Sequence, residues 1–200
     1  KGYQLGLLIC EDIWYDEPID AVKGAGAELV LTINASPYDL NKEHIRSDLL
    51  VEHAQRTGLP IVYLNQVGGQ DELVFDGGSK VLANKGKQVY QMAEFAEQVA
   101  TVTFEDVKLV TEQPKQPEAS QIAQVYQALV LATRDYINKN GFNGAILGLS
   151  GGIDSGLTVA IAADAIGKDR VQAVMMPFRY TSEMSIHDAK EQAELLGVEF

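Results

Sequence analysis

The chain is poor in the residues that build disulfides and metal clusters: it has one cysteine, Cys10, three histidines and one tryptophan in 200 residues. A single cysteine excludes an intramolecular disulfide and a cysteine-cluster metal site, and it suits a reducing cytoplasm, the expected location. His44, His53 and His187 fall on helical stretches without metal-ligand spacing and read as solvated or internally satisfied side chains. Basic residues are scarce as well: 16 Lys and Arg stand against 28 Asp and Glu, a formal net charge of −12. So acidic a chain lacks the basic surface that supplies affinity for nucleic acids or acidic membranes. Long apolar runs, internal repeats and low-complexity tracts are all missing. What is present, 46% hydrophobic and 22% charged residues, is the composition of a soluble globular protein of one or two domains.

The clearest punctuation is Glu112 to Glu118, which holds Pro114 and Pro117 among polar residues and reads as a linker over 112–118. Before it, short β-rich runs dominate: Leu5 to Ile9, Leu29 to Ile33, Ile61 to Leu64, Lys80 to Ala83, Val89 to Met92 and Val99 to Phe104. Helical stretches at about Pro18 to Gly26 and Lys42 to Arg56 give a β-α-β-α-β start. Asn84-Lys85-Gly86 links later strands as a hairpin. After the linker, Gln121 to Asn138 carries Ile122, Val125, Leu129, Thr133 and Tyr136 at helical spacing, widened by Tyr126, Val130 and Ile137, with Gly141 as the stop. Strand 144–149, helix 154–166, strand 171–176, helix 183–196 and the start of another strand follow. That alternation predicts a parallel, doubly wound sheet with its ligand at the carboxyl ends of the strands. Lys1 stands almost at the first strand and Glu199-Phe200 at the start of the last, so the chain reads as an internal piece of a longer protein, with regions 1–111 and 119–200 on either side of the linker.

Between the run Gly144 to Leu149 and the helical run from Leu157 lie Ser150-Gly151-Gly152-Ile153-Asp154-Ser155. A strand, a glycine loop and a helix start form a cradle for phosphate: backbone N–H groups and the helix N-terminus face the anion, and the serine hydroxyls can donate. The lysine of a Walker A loop is absent, since Ile153 and Asp154 stand where its glycine and lysine belong. The segment resembles the PP-loop, S-G-G-x-D-S, of the ATP pyrophosphatases, which grip the β,γ-pyrophosphate of ATP while the α-phosphorus is attacked. The resemblance makes Gly148, Leu149, Ser150, Gly151, Gly152, Ile153, Asp154 and Ser155 the ATP-binding set. A carboxylate beside phosphates repels them unless a divalent cation stands between, so Asp154 is the expected Mg²⁺ ligand; its plain alternative is a first-turn helix carboxylate.

Cys10 ends the apolar strand and is followed by Glu11-Asp12-Ile13-Trp14. An isolated cysteine there is most simply a buried structural thiol. The segment Ile9 to Trp14, however, resembles the nucleophile turn of the nitrilase (carbon-nitrogen hydrolase) superfamily. Asn34 to Tyr38, Val67-Gly68-Gly69, Glu72 to Phe75 and Asp76 to Ser79 are similar to further motifs of that family. The resemblance implies an α-β-β-α sandwich, here partial, and catalysis by a Glu-Lys-Cys triad in which Cys10 attacks an amide carbon. The glutamate and lysine precede the cysteine in the family and are expected before Lys1. Ser36 and Lys42 are similar to the glutamine-binding positions of glutamine-using members; otherwise Ser36 only shapes a Ser-Pro turn and Lys42 is a solvated helix residue.

The two halves together resemble the family of glutamine-dependent NAD⁺ synthetases. Val174 to Pro177, Tyr180 to Ser185 and Asp188-Ala189 are similar to its pattern M-P-S-x-Y-(S/T)-S-x-x-S-x-x-D-A, with Phe178 in place of the small serine. Arg179 beside it offers a charge for a nucleotide phosphate or is a surface side chain. The resemblance implies an ATP-dependent carbon-nitrogen ligase with Mg²⁺, in which ammonia from glutamine passes through the protein interior to an adenylated deamido-NAD⁺. The expected partners are small molecules, with no nucleic acid and no membrane, and the longer protein is expected to be a homo-oligomer. The alternatives are another PP-loop amidotransferase, which normally takes ammonia from a different glutaminase fold, or a non-catalytic nucleotide-binding module. The piece by itself is expected to be inactive.

Overall fold

The computed structural model describes residues 2–105, 108–109 and 119–200, and the expected linker at 112–118 lies outside them. The described residues form two compact bodies: one holds residues up to Gly68 and from Leu73 to Gln121, the other Gly69–Glu72 and Ile122–Phe200.

In the first body, β1 (Leu5–Ile9), β2 (Leu29–Asn34) and β3 (Ile61–Asn65) pair in parallel, joined by α1 (Asp16–Gly24) and α2 (Lys42–Thr57). The sequence alternates strand and helix, and each crossover helix returns the chain to the same edge of the next strand. After the short strands β4 (Val67–Gln70) and β5 (Leu73–Asp76), which pair with each other, β6 (Lys80–Leu82) adds antiparallel to β3 and β7 (Gln88–Gln91) antiparallel to β6. The sheet order is β1-β2-β3-β6-β7. The turn through Asn84-Lys85-Gly86 joins β6 and β7 as expected, with Lys85 and Gly86 both at positive φ.

Strand alternation decides what each face meets. Leu8, Val30, Ile61 and Leu82 point to the helix side and pack with Ile13, Ile19, Leu50 and Ala54 in one core. Burying each such side chain contributes about 1.5–3 kcal/mol. Leu5, Leu7, Ile9, Ile33 and Leu64 lie on the other face and are exposed. A sheet apolar on both faces fits a sandwich layer, with helices on one side and a sheet-binding surface on the other. The helix α2 turns Arg46, Leu50, His53, Ala54 and Thr57 inward at helical spacing and stops at Gly58, whose left-handed φ of 72° lets its N–H bond Ala54 O at 3.0 Å.

The second body starts with α3 (Gln121–Lys139), which ends just before Gly141, followed by β10 (Ala145–Gly148), α4 (Ile153–Ile166), β11 (Val171–Val174) and α5 (Glu183–Leu196). β10 and β11 are parallel, and Glu199 bridges Gln172 in parallel as a further strand begins. Val159, Ala162, Leu149, Ala173, Ala189 and Ala193 form its core. A small two-stranded ribbon, β8 (Phe104–Glu105) and β9 (Lys108–Leu109), completes the described elements.

Two expectations need correction. The strand read at Val99 to Phe104 is limited to Phe104–Glu105, and Val99 is fully exposed, because β-rich composition does not make a strand without a neighbour to pair with. The helix at Gln121 is where the spacing put it, but Ala128, Leu131 and Ile137 are its buried residues, whereas Ile122, Leu129 and Tyr136 are exposed. α3 is apolar around much of its circumference, so periodicity locates the helix without choosing its packed stripe.

Candidate active sites

The first site lies at the carboxyl ends of β1, β2 and β3. Cys10 directly follows β1 and opens a 3₁₀ turn, Cys10–Trp14. Its φ is 51°, in the left-handed region that a non-glycine residue rarely occupies, and it is half-buried. Such a conformation persists only where the surroundings hold it, and sharp strand-to-helix turns of this kind present nucleophiles. The surroundings here are specific. Asp12 Oδ2 accepts from Ile9 N at 2.9 Å and closes the turn on itself. His53, on the buried face of α2, contacts Ile13 O through Nε2 at 2.8 Å, and its Nδ1 lies 3.1 Å from Arg56 Nη2. A carbonyl only accepts and a guanidinium only donates, which fixes the proton on Nε2. His53 is therefore the internally satisfied histidine that its position suggested, and it pins the turn carrying Cys10. Asp12 likewise has a task in the turn, tying it back to the end of β1.

Ser36 follows β2 and is 5% exposed. Its Oγ is buried without a well-formed hydrogen bond, as are the hydroxyls of Tyr38 and Tyr63, although the Ser36 and Tyr63 hydroxyls lie close enough to interact. A buried orphan hydroxyl is costly unless a ligand or water meets it. Lys42 opens α2, half-buried, with Nζ 5.7 Å from the ring centroid of Trp14, so the helix start is tied to the Cys10 turn by a cation–π contact. The structure thus places Cys10, Ser36 and Lys42 at the same end of the sheet, on the ends of adjoining strands and the start of the helix that follows β2. A cleft of about 480 Å³ in this body is lined by Leu64, Asn65, Gly77, Ser79 and Met92 rather than by those three residues.

Beneath these residues lies a polar layer that the sequence did not announce. Arg46 on α2 and Asp76 at the end of β5 form a buried ion pair, 3% and 1% exposed, with Arg46 Nη1 donating to Asp76 Oδ1 at 2.9 Å and a second bond joining Nη2 to Oδ2. Burial alone would lower the Arg46 pKa, but the carboxylate outweighs it and the pKa is raised. Lys80 donates to Glu43 and to Ser47; burial pushes the Glu43 carboxyl up, and the ammonium more than reverses that, leaving its pKa lowered. Glu94 is pushed up, by burial first and then by the charges of Asp76 and Glu43.

The second site is the loop between β10 and α4. Ser150 N donates to Ser155 Oγ at 3.1 Å, the two serine hydroxyls are 3.0 Å apart, and Ser155 Oγ donates to Gly152 O at 3.0 Å. Gly152 N donates to Ser150 Oγ at 3.3 Å. Gly151 has φ 79°, and a side chain there would meet the backbone of Ser185 at 2.2 Å, so only glycine fits between the loop and α5. Gly148 and Leu149 end the strand, with Leu149 N bonded to Val174 O at 2.9 Å. Ile153 and Asp154 form the exposed first turn of α4. Beside them a cavity of about 240 Å³ is bordered by Gly148, Ser150, Val174, Met176 and Thr181. Ser182 caps α5 by accepting from Ser185 N at 3.1 Å, and Arg179 lies over Phe178 and Tyr180 at 5.3 and 5.1 Å from the ring centroids. Phe178 and Tyr180 meet edge to face with ring centroids 5.7 Å apart, and Arg179 lies against both rings, a contact that serine at 178 could not make. His187, Asp188 and Glu191 cluster on the exposed face of α5.

Comparison with known proteins agrees with this division of chemistry. The carbon-nitrogen hydrolase family model matches residues 1–112 and the NAD synthase model residues 125–200. Across its whole length the chain is 48% identical to the glutamine-dependent NAD(+) synthetase of Acinetobacter baylyi, covering 37% of that protein. It is 37% identical to that of Aquifex aeolicus, covering 41% of it. Among solved structures, the glutamine-dependent NAD⁺ synthetase of Acinetobacter baumannii in complex with ADP superposes on all of the chain with TM-score 0.94 and 49% identity, and the chain covers 38% of it. The synthetase of Cytophaga hutchinsonii shares the fold at TM-score 0.78 and 21% identity. The chain spans well under half the length of these relatives. No helix among the described residues is long and apolar enough to cross a membrane. A parallel sheet ending in a strained cysteine, and the family match over that whole region, place the chain in the carbon-nitrogen hydrolase family, joined to an NAD synthase segment that carries the serine-glycine loop.

Proposed function

We propose that the whole protein to which this chain belongs is a glutamine-dependent NAD⁺ synthetase of the cytoplasm, with a glutaminase region at 1–111, a linker at 112–118 and a synthetase region from 119. The observation that carries this reading is the presence, in one chain, of a left-handed cysteine at a strand end and an S-G-G-x-D-S loop at a strand-to-helix junction.

In this reading Cys10 Sγ attacks the side-chain amide carbon of glutamine. A C–S bond forms, the C–N bond breaks, and the thiol proton leaves with ammonia; water then cleaves the thioester to glutamate. The hydroxyl of Ser36 meets the amino-acid head and Lys42 its α-carboxylate. At the second site Gly148 to Ser155 bind ATP. The nicotinate carboxylate of deamido-NAD⁺ takes the adenylyl group, pyrophosphate departs, and ammonia displaces AMP. The serine hydroxyls and loop N–H groups stabilise charge gathering on the pyrophosphate, an interaction that strengthens toward the transition state. Asp154, exposed at the helix start beside the loop, is an oxygen donor of the type Mg²⁺ prefers, and the ion would neutralise phosphate charge there.

Steady-state assays of the full-length protein test the reading. Cys10→Ala is expected to lower glutamine-dependent synthesis by roughly 10³-fold or more while synthesis from ammonium continues. Asp154→Ala is expected to do the reverse, sparing glutamine hydrolysis and stopping NAD⁺ formation. Loss of both nitrogen sources in Cys10→Ala, or unchanged synthesis in Asp154→Ala, would reject the assignment of two separate sites.

A further inference from the structure

The Ser36 peptide is held from below by one side chain. Asn65, the last residue of β3 and 4% exposed, accepts from Ser36 N through Oδ1 at 2.9 Å and donates from Nδ2 to Ser36 O at 3.3 Å. A single carboxamide therefore meets both polar groups of one residue, as a neighbouring strand would, just where β2 has ended and no strand pairing remains. The same Nδ2 also lies 3.2 Å from Asp76 Oδ1 and 3.1 Å from Gly77 O, so its two hydrogens are shared among three acceptors. Its own main chain is fixed too, because Asn65 N donates to Ser79 Oγ at 2.9 Å. Asp76 in turn is locked by the paired bonds from Arg46. The order of support runs from Arg46 to Asp76 to Asn65 to Ser36, all within the first body. At its end stands the buried Ser36 Oγ, which has no well-formed hydrogen bond and only the Tyr63 hydroxyl close to it.

A buried ion pair is a weak device for stability, since desolvation offsets most of the attraction, but it is effective at fixing one geometry. Here the pair fixes a carboxamide that fixes a peptide that carries a hydroxyl with bonding capacity to spare. We propose that Asn65 is a positioning residue for recognition of the amino-acid substrate, setting the height and direction of Ser36 through its two-point grip on that residue's peptide. The proposal rests on the glutamine reading given above. Asn65 touches neither the reacting atoms nor, through its own side chain, the substrate.

The test uses the full-length protein, with glutamine and ammonium as alternative nitrogen donors. Asn65→Asp keeps the shape and the acceptor for Ser36 N but loses every donated bond, and Asn65→Ala loses both. The KM for glutamine is expected to rise roughly tenfold in Asn65→Ala, the loss of one or two such bonds. A rise at least as large is expected in Asn65→Asp, whose carboxylate would face Asp76 Oδ1 and two carbonyl oxygens. The kcat for ammonium-dependent synthesis should stay within about twofold in both, as that reaction bypasses the first site. A glutamine KM within twofold of the wild type would overturn the proposal. So would parallel loss of both activities, which marks a purely structural role. Ser36→Ala separates this idea from the reading beneath it: if that variant and Cys10→Ala both leave glutamine-dependent turnover untouched, the glutamine reading fails. If they impair it while Asn65 variants do not, only the positioning role fails.

Discussion

The two sites are built in opposite ways. In the first body the residues that support Ser36 are buried side chains from three separate elements, bonded to one another across long stretches of sequence; Arg46 and Asp76 are 30 residues apart. In the second body the loop from Ser150 to Ser155 bonds chiefly to itself, over two to five residues, and its side chains are largely exposed. The difference suits two kinds of ligand. A small zwitterion offers few handles and is best read by groups already fixed, whereas a polyphosphate brings charge enough to exchange the loop's own hydrogen bonds for better ones. On the proposed function, rigid support would recognise at the first site and a loop free to trade partners would grip at the second.

The comparison is broken most forcefully at Arg46. Arg46→Met leaves the Asp76 carboxylate buried and unpaired, and it is expected to lower stability by about 3–5 kcal/mol in urea unfolding. Replacing both partners, Arg46→Met with Asp76→Leu, should recover most of that loss, since no charge is then stranded. It should not recover the low KM for glutamine, because Asn65 loses the acceptor that orients it. A double variant that regains both stability and KM would show that the buried pair only fills space.

A smaller effect is expected at Gly151. The methyl of Gly151→Ala would meet the Ser185 carbonyl, and the residue would be held at φ 79°, so the loop or the start of α5 must move. A cost of about 1–3 kcal/mol is expected, confined to the second body. Nucleotide-dependent synthesis should fall while glutamine hydrolysis is retained, as measured by separate assays of glutamate and NAD⁺ release. Equal loss of both would contradict the independence of the two constructions.

The same contrast explains what could be read from the sequence. The loop was legible because its bonds are local: S-G-G-x-D-S between an apolar run and a helical run contains nearly all its own contacts. Cys10, Ser36 and Lys42 were legible as strand-end and helix-start positions, and the structure puts them at one end of one sheet. Arg46, Asn65 and Asp76 were not. An arginine among the charges of α2 reads as solvated, an asparagine closing a strand reads as a turn residue, and an aspartate before two glycines reads as part of a bend. Only the fold brings the three together. The packed stripe of α3 was missed for a related reason, because an apolar side chain records that something covers it and not what. β4 does not read as a strand, since Gly68 and Gly69 interrupt any β pattern.

The smallest expected effect is one of pH, and it separates the two layers of the first site. Glu43 has its carboxyl lowered from the ordinary 4.5, against the pull of burial, by the Lys80 ammonium that bonds it. A carboxyl that is more acidic when folded stabilises the folded state above its unfolded pKa, and that contribution is lost as pH falls below 4.5 through the folded value. Glu94 runs the other way. Its raised pKa favours the folded state in acid, and the benefit fades as pH climbs through the folded value above 4.5. In Lys80→Met the ammonium is gone and burial is opposed only by Ser47 and His44, so the Glu43 pKa should rise and its contribution should shrink. Urea midpoints taken from about pH 7 down to about pH 3 should therefore fall less steeply for Lys80→Met than for the wild type, even though the variant starts lower at neutral pH. Parallel curves would mean that Lys80 does not govern Glu43. The second body supplies the control: Asp135 is lowered by bonds from Gly69 N and Arg134 that Lys80 does not touch, so its acid loss should be the same in both proteins.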